Sequence, residues 1–169
     1  MTKTVVAIFA ACGMALAQNP LSTENKTVYD SIKGLILKSA DKMPEEHYSF
    51  QPTPEVRTYG RLLGHIADAQ YLFCSSAKGE KLTPREVEKT KTSKADLQQA
   101  LNDAFAYCDP LYGELTDAKA VEIVKFFGRD RSKLGVLSFN IAHTYEHYGN
   151  LVTYMRMKGL VPPSSEGRR

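Results

Sequence analysis

Apolar side chains recur at the helical repeat in four stretches of this chain, and no stretch of useful length alternates apolar and polar positions as a half-buried strand does. The pattern predicts an all-α protein. A first helix is expected from Thr23 to Lys42, with Val28, Ile32, Leu35, Ile36 and Ser39 on one face and Lys26, Asp30, Lys33 and Lys38 elsewhere. Met43-Pro44 ends it, because proline disfavours helix at the residue before it. Glu45 to Val56, with Pro52 and Pro54, reads as an extended connector whose Tyr48 and Phe50 cover one end of the core. Thr58 suits the N-cap of a second helix running to about Ala77, with Leu62, Ile66, Ala69 and Phe73 at core spacing and Gly79 just past its end. A charged crossover from Lys78 to Thr92 contains Thr83-Pro84-Arg85-Glu86, a capping box with proline at the first helical position, so a short helix is expected there. The third long helix starts at Ser93 and carries Leu97, Leu101, Ala104, Phe105 and Cys108, with Pro110 marking a kink or an early end. The last starts near Ser132 and continues to about Lys158, its stripe made by Leu134, Leu137, Ile141, Tyr148, Leu151 and Met155, and Gly159 and Pro162-Pro163 stop it. Four helices of about 20 residues each are what a four-helix bundle requires.

The start of the chain follows a different rule. Met1-Thr2-Lys3 is followed by an almost uncharged apolar stretch to Leu16, and Ala15-Leu16-Ala17 supplies the small-x-small pattern of a signal-peptidase site. Residues 1–17 therefore read as a secretory signal peptide, too short in its apolar run to span a bilayer as a helix. The expectation is a periplasmic or secreted protein whose mature domain covers residues 18–169. Phe9-Ala10-Ala11-Cys12 offers a lipoprotein alternative, with lipid attached at Cys12. The mature chain keeps Cys74 and Cys108. They form either one disulfide or two separate buried thiols, and the disulfide is better served if the second and third long helices run parallel. No Cys-x-x-Cys is present, which argues against a thiolate zinc site or a thioredoxin-type role.

With 169 residues, 43% of them hydrophobic and 24% charged, the chain has the balance of one ordinary globular domain. Removing Lys3 with the leader takes the net charge from +3 to +2. Cations are interspersed with acids, as in Arg85-Glu-Val-Glu-Lys89, so nucleic acid is not an expected partner.

The candidate chemistry lies in the histidines, of which there are four. His143-Thr-Tyr-Glu-His147 places two of them one turn apart on one face of the last helix, where both imidazoles can address a single point. His65 lies mid-helix in the second element, flanked by core positions. Three nitrogen ligands plus an open position are the arrangement of a catalytic rather than a structural metal site. The site residues are thus His65, His143 and His147, and the cofactor is a divalent transition metal: zinc or nickel first, then iron, copper or manganese. His47, beside Glu45 and Glu46, reads as surface or lid.

The run from Met43 through Pro-Glu-Glu-His-Tyr-Ser-Phe-Gln-Pro to Arg61-Leu-Leu-Gly-His65-Ile-Ala-Asp-Ala-Gln70, combined with His143-x-x-x-His147-Tyr-Gly-Asn-Leu, resembles the DinB/YfiT-like family. The resemblance extends over essentially the whole mature chain and implies an up-down-down-up bundle with a long crossover between the second and third long helices. It also implies metal ligation by His65, His143 and His147 and pairing into a homodimer. Members of that family include thiol-dependent transferases and hydrolase-like proteins. An exported location would set this chain apart from the cytosolic members that use small thiols.

An ion with an open position can polarise a carbonyl or activate water, so the expected function is that of a metal-dependent hydrolase or transferase acting on a small molecule. The alternative is an exported metal-binding or interaction protein without turnover. Glu146 completes a His-x-x-Glu-His string that also occurs in inverzincin proteases, where the glutamate is the base. Such a protease needs an acidic ligand well downstream, and the only acid after His147 is Glu166, so an exposed, non-catalytic Glu146 is the simpler reading. Asp68 and Asn140 stand near the histidines in sequence and are candidates for orienting a ligand's second nitrogen.

Overall fold

A computed structural model describes residues 19–167. The expected signal peptide and Cys12 lie outside the described residues. Six helices follow in order: α1 (Pro20–Lys42), α2 (Tyr59–Lys78), α3 (Val87–Thr90), α4 (Lys94–Gly113), α5 (Asp117–Ala120) and α6 (Lys133–Met157). Between the last two lies an antiparallel hairpin of β1 (Ile123–Phe126) and β2 (Arg129–Ser132), paired with Phe126 opposite Arg129. None of the described helices is long and apolar enough to cross a membrane.

The helix boundaries follow from local chemistry. Thr58, Ser93 and Ser132 cap α2, α4 and α6, their hydroxyl oxygens accepting the backbone N–H of Arg61, Asp96 and Gly135. Gly79 ends α2 in the left-handed region at φ 75°, a conformation glycine adopts without steric cost. α4 runs through Pro110 and ends within the same turn, at Gly113. α5 serves the start of α1: the Asp117 carboxylate accepts the N–H groups of Leu21 and Ser22 together with the Ser22 hydroxyl.

The long helices form an up-down-down-up bundle, and specific contacts set each direction. α1 and α6 run parallel, since Asn25 donates to Ser138 near their starts and Lys42 pairs with Glu166 beyond their ends. α2 opposes α6, as Tyr59 meets Tyr154 while Phe73 meets Phe139. α2 and α4 are parallel: Gly60 abuts Leu97 at one end and Cys74 is joined to Cys108 at the other, with Cα atoms 5.6 Å apart. Those two helices are separated in sequence by the long crossover that contains α3. The core they enclose is large and dry, with Ile36, Leu63, Ile66, Leu101, Phe105, Leu137 and Leu151 all essentially inaccessible to water.

Three details depart from the sequence pattern. On α1 the inward position is Tyr29, not Val28, which is exposed; the tyrosine ring stacks on Tyr112 at 3.7 Å and its hydroxyl donates to Asp109. α3 begins at Val87 rather than at the Thr83 capping box, because Asp68 reaches across from α2 and accepts both the Val87 and Glu88 N–H groups. The hairpin is the third, turning on Phe127-Gly128 with φ of 47° and 75°, a left-handed pair that suits a two-residue turn but lacks the usual Asn-Gly signature.

Candidate metal centre

α2 and α6 cross where three imidazoles converge. His143 and His147 lie one turn apart on α6 with their rings edge-to-face, and the antiparallel packing of α2 brings His65 against them. The Nε2 atoms of His65 and His147 lie 3.3 Å and 3.1 Å from Nε2 of His143. The ligand-capable atoms of all three lie within 4.8 Å of one another. Two nitrogens on one tetrahedral zinc are separated by roughly 3.3 Å, given Zn–N bonds near 2.0–2.1 Å. The spacing fits a single ion.

Protonation agrees with that fit. His65 Nδ1 lies 3.0 Å from Glu88 Oε2, and an ionised carboxylate can only accept, so Nδ1–H donates and Nε2 is the nitrogen left to face an ion. Burial alone would raise the Glu88 pKa, but the hydrogen bond and charge of Arg57, with the contribution of His65, hold it below the ordinary glutamate value. Burial, reinforced by His147, His65 and Arg57, pushes His143 down to about 4, and burial with the His65 charge also lowers His147. These rings are therefore kept neutral, as ligation requires. The Nδ1 atoms of His143 and His147 are buried and meet no hydrogen-bond partner among the described residues.

Glu88 is the residue that sequence reasoning missed. It sits on α3, also bonded to Arg57 Nε at 3.0 Å and to Arg61 at 3.1 Å. α3 reaches His65 because Gly64 leaves room for it: a Cβ there would stand 2.7 Å from Glu88 Cα. Asp68 spends its two oxygens on the N–H groups at the start of α3 rather than on a histidine ring, and so holds Glu88 in place. Asn140 does not orient a ligand either. It belongs to a buried network beneath the site, donating to Gln70 at 2.8 Å and to the Tyr112 hydroxyl at 3.1 Å, while Gln70 donates to Thr144. His47 lies in a single turn of 3-10 helix at Glu45–His47 and is not part of the cluster. Glu146 is exposed on the turn before His147.

A family model for the DinB superfamily matches residues 32–151, most of the chain and all three converging histidines. The chain belongs to the DinB superfamily. Its relatives include the uncharacterized protein YjoA of Bacillus subtilis (strain 168), 27% identical over 123 residues that cover 71% of this chain and 79% of YjoA. A solved DinB-like protein of Bacillus cereus ATCC 10987 superposes with a TM-score of 0.73 at 24% identity, covering 83% of this chain and 95% of its own. The solved mycothiol-dependent maleylpyruvate isomerase superposes with a TM-score of 0.62 at 16% identity over 77% of this chain and 60% of its own, a likeness of fold.

In this DinB-superfamily bundle the histidine cluster divides two open cavities. One, about 530 Å³, is polar and lined by Arg57, Arg61, Glu88, Glu146, His147 and Asn150 among others. The other, about 680 Å³, lies on the His65 and His143 side and is walled by Phe73, Phe127 and Phe139. Small-molecule sites commonly combine such an apolar wall with a few convergent polar groups.

Proposed function

We propose that this DinB-superfamily chain is a metal-dependent enzyme, a hydrolase or a transferase, that holds one divalent transition ion, zinc or nickel, on His65, His143 and His147. The observation that carries the reading is the meeting of three Nε2 atoms, two of them 3.1 Å and 3.3 Å from the third, at the boundary of two cavities. When bound, such an ion polarises a carbonyl or lowers the pKa of a bound water. The chain's own part is to keep His143 and His147 neutral and His65 oriented. Glu88 fixes the His65 tautomer, and a partner on the outward nitrogen of a ligating histidine also raises its basicity. Arg57 and Arg61 neutralise Glu88 and bring cationic donors to the polar cavity.

The reading includes export. The Lys3-led apolar stretch ending in Ala15-Leu16-Ala17 supports a periplasmic or secreted protein, and the Cys74–Cys108 disulfide suits an oxidising compartment. Hydrolysis suits an exported chain better than thiol transfer, because small thiol cosubstrates are scarce outside the cytosol. Elemental analysis of protein purified without a histidine tag tests the core of the proposal. One equivalent of transition metal per chain is expected, lost in both His65→Ala and His143→Ala. A wild-type protein that stays metal-free after equilibration with zinc and nickel, or variants that keep the ion, would overturn it.

A further inference from the structure

The cavity of about 680 Å³ beside His65 and His143 is lined by aromatic rings on one side and charged side chains on the other. Phe73 packs edge-on to the His143 ring at 5.1 Å and to Phe139 at 5.3 Å, and Phe126 and Phe127 of the hairpin continue this aromatic wall, their rings 4.4 Å apart. Phe127 is 67% exposed and holds a left-handed φ of 47°, where a bulky side chain is strained. Folding alone does not explain that choice: the adjoining Gly128 shows the turn to be of a type that asparagine or glycine would serve at less cost. Strain of this kind is concentrated at ligand sites, where an exposed ring is useful.

The charges around the cavity are unequal in their engagement. Arg61 is paired with Glu88, and Lys89 with Glu86. Asp68 is occupied by two backbone N–H groups, and Glu88 by Arg57, Arg61 and His65. Arg85 alone among the cations that line the cavity has neither a carboxylate partner nor a hydrogen-bond acceptor among the described residues. Its guanidinium is parked over the Tyr71 ring, 5.0 Å from the centroid, which orients the fork without using its N–H donors.

We infer that this cavity receives a carboxylate-bearing substrate with an aryl or alkyl body, the body lying against Phe73, Phe127 and Phe139 and the carboxylate taken by Arg85. The inference deepens the proposed enzyme reading by naming its substrate class, and it rests on that reading only for what happens to the bound molecule at the histidines. Recognition itself depends on the aromatic wall and on Arg85, both present without an ion.

Calorimetric titration of the tag-free full chain, zinc-loaded and chelator-treated, with phenylbutyrate, phenylbutanol and acetate tests the assignment. Phenylbutyrate is expected to bind about tenfold or more tighter than either of the others, since each lacks one of the two recognised parts. Phe139→Ala is expected to weaken phenylbutyrate by about tenfold. Arg85→Gln should abolish the preference for acid over alcohol while leaving alcohol binding in place. Arg85 and Phe139 are both exposed, but Phe139 also packs on the buried rings of Phe73 and Phe126, so melting curves verify that each variant is folded. Equal binding of acid and alcohol, an acid preference that survives Arg85→Gln, or unchanged affinity in Phe139→Ala would overturn the inference. Metal content is measured on the same samples. Acid recognition without any bound metal would remove the enzyme reading and leave the inference standing, whereas bound metal without acid recognition would do the reverse.

Discussion

Gly64 is the position where a single methyl group separates the contribution of α3 from that of the bundle. A Cβ built there would lie 2.7 Å from Glu88 Cα, 2.9 Å from Glu88 N and 3.2 Å from the Val87 carbonyl carbon. All three atoms are backbone, so no rotamer change relieves the clash. Ordinary contact begins at 3.4 Å, and α3 must retreat by about 0.7 Å, the difference from 2.7 Å. That movement stretches the Asp68 bonds to the Val87 and Glu88 N–H groups, now 2.9 Å and 3.0 Å, and draws Glu88 away from His65. Overpacking of this kind costs about 1–3 kcal/mol. The better helix propensity of alanine returns up to about 1 kcal/mol. With the full return subtracted, a net loss of up to about 2 kcal/mol lowers the melting temperature of a domain this size by up to about 8 °C.

Gly34 provides the control, because it lies inside α1 with nothing within 4 Å of its Cβ direction. Gly34→Ala should therefore raise the melting temperature through propensity alone. Zinc affinity, read by competition with a chromophoric chelator, should fall about 10–100-fold in Gly64→Ala and remain unchanged in Gly34→Ala, since the carboxylate behind His65 is displaced only in the first. If Gly64→Ala instead melts higher than wild type and binds zinc normally, then α3 is not held against α2 and Glu88 has no part in orienting His65.

Two further outcomes follow from the core. Replacing Cys74 and Cys108 together by serine opens a link across 34 residues of sequence. Loss of about 2–4 kcal/mol in denaturant unfolding is expected, with zinc binding retained; midpoints that ignore both substitution and reductant would show that the bridge is not formed. The metal-free protein should also weaken in mild acid. His143 is depressed to about 4 in the fold against an ordinary value of 6.5, so the unfolded chain takes up the proton first. Its stabilising contribution is complete above the unfolded value and is lost as pH falls from there towards the folded value. Melting curves across that window should slope less in His143→Asn, and identical slopes would discount the buried neutral imidazole.

The long helices and the His143–His147 pair were legible because they depend on spacing within single helices, whereas the meeting of His65 with that pair depends on the packing of α2 against α6. His143 and His147 share a face whatever surrounds them, and Thr58, Ser93 and Ser132 announce their helices through side chains that bond locally. What escaped the sequence was set by contacts between distant segments. Val28 and Tyr29 are adjacent and both apolar enough to face inward; the choice falls to Tyr29 because Tyr112 and Asp109 on α4 offer its ring a stacking partner and its hydroxyl an acceptor. The hairpin escaped because its strands are four residues each, mostly exposed, and turned by Phe127 rather than asparagine. The pairing of Cys74 with Cys108 followed from the parallel course of α2 and α4, which periodicity alone cannot supply.

Asp68 shows most clearly why proximity in sequence was a good guide to involvement and a poor guide to role. Three residues after His65, it was a natural candidate to bond the imidazole directly. In the fold it points across the crossover instead, and its two oxygens cap α3 in place of the Thr83 capping box. The carboxylate that reaches His65 is Glu88, 23 positions downstream, admitted by the missing side chain at Gly64. Asp68, Gly64 and Glu88 thus act on one nitrogen atom through a single short helix, so a lesion at any of the three should disturb His65 in the same direction. A long crossover that looked like mere connection is, on this geometry, the segment that orients one corner of the candidate metal centre.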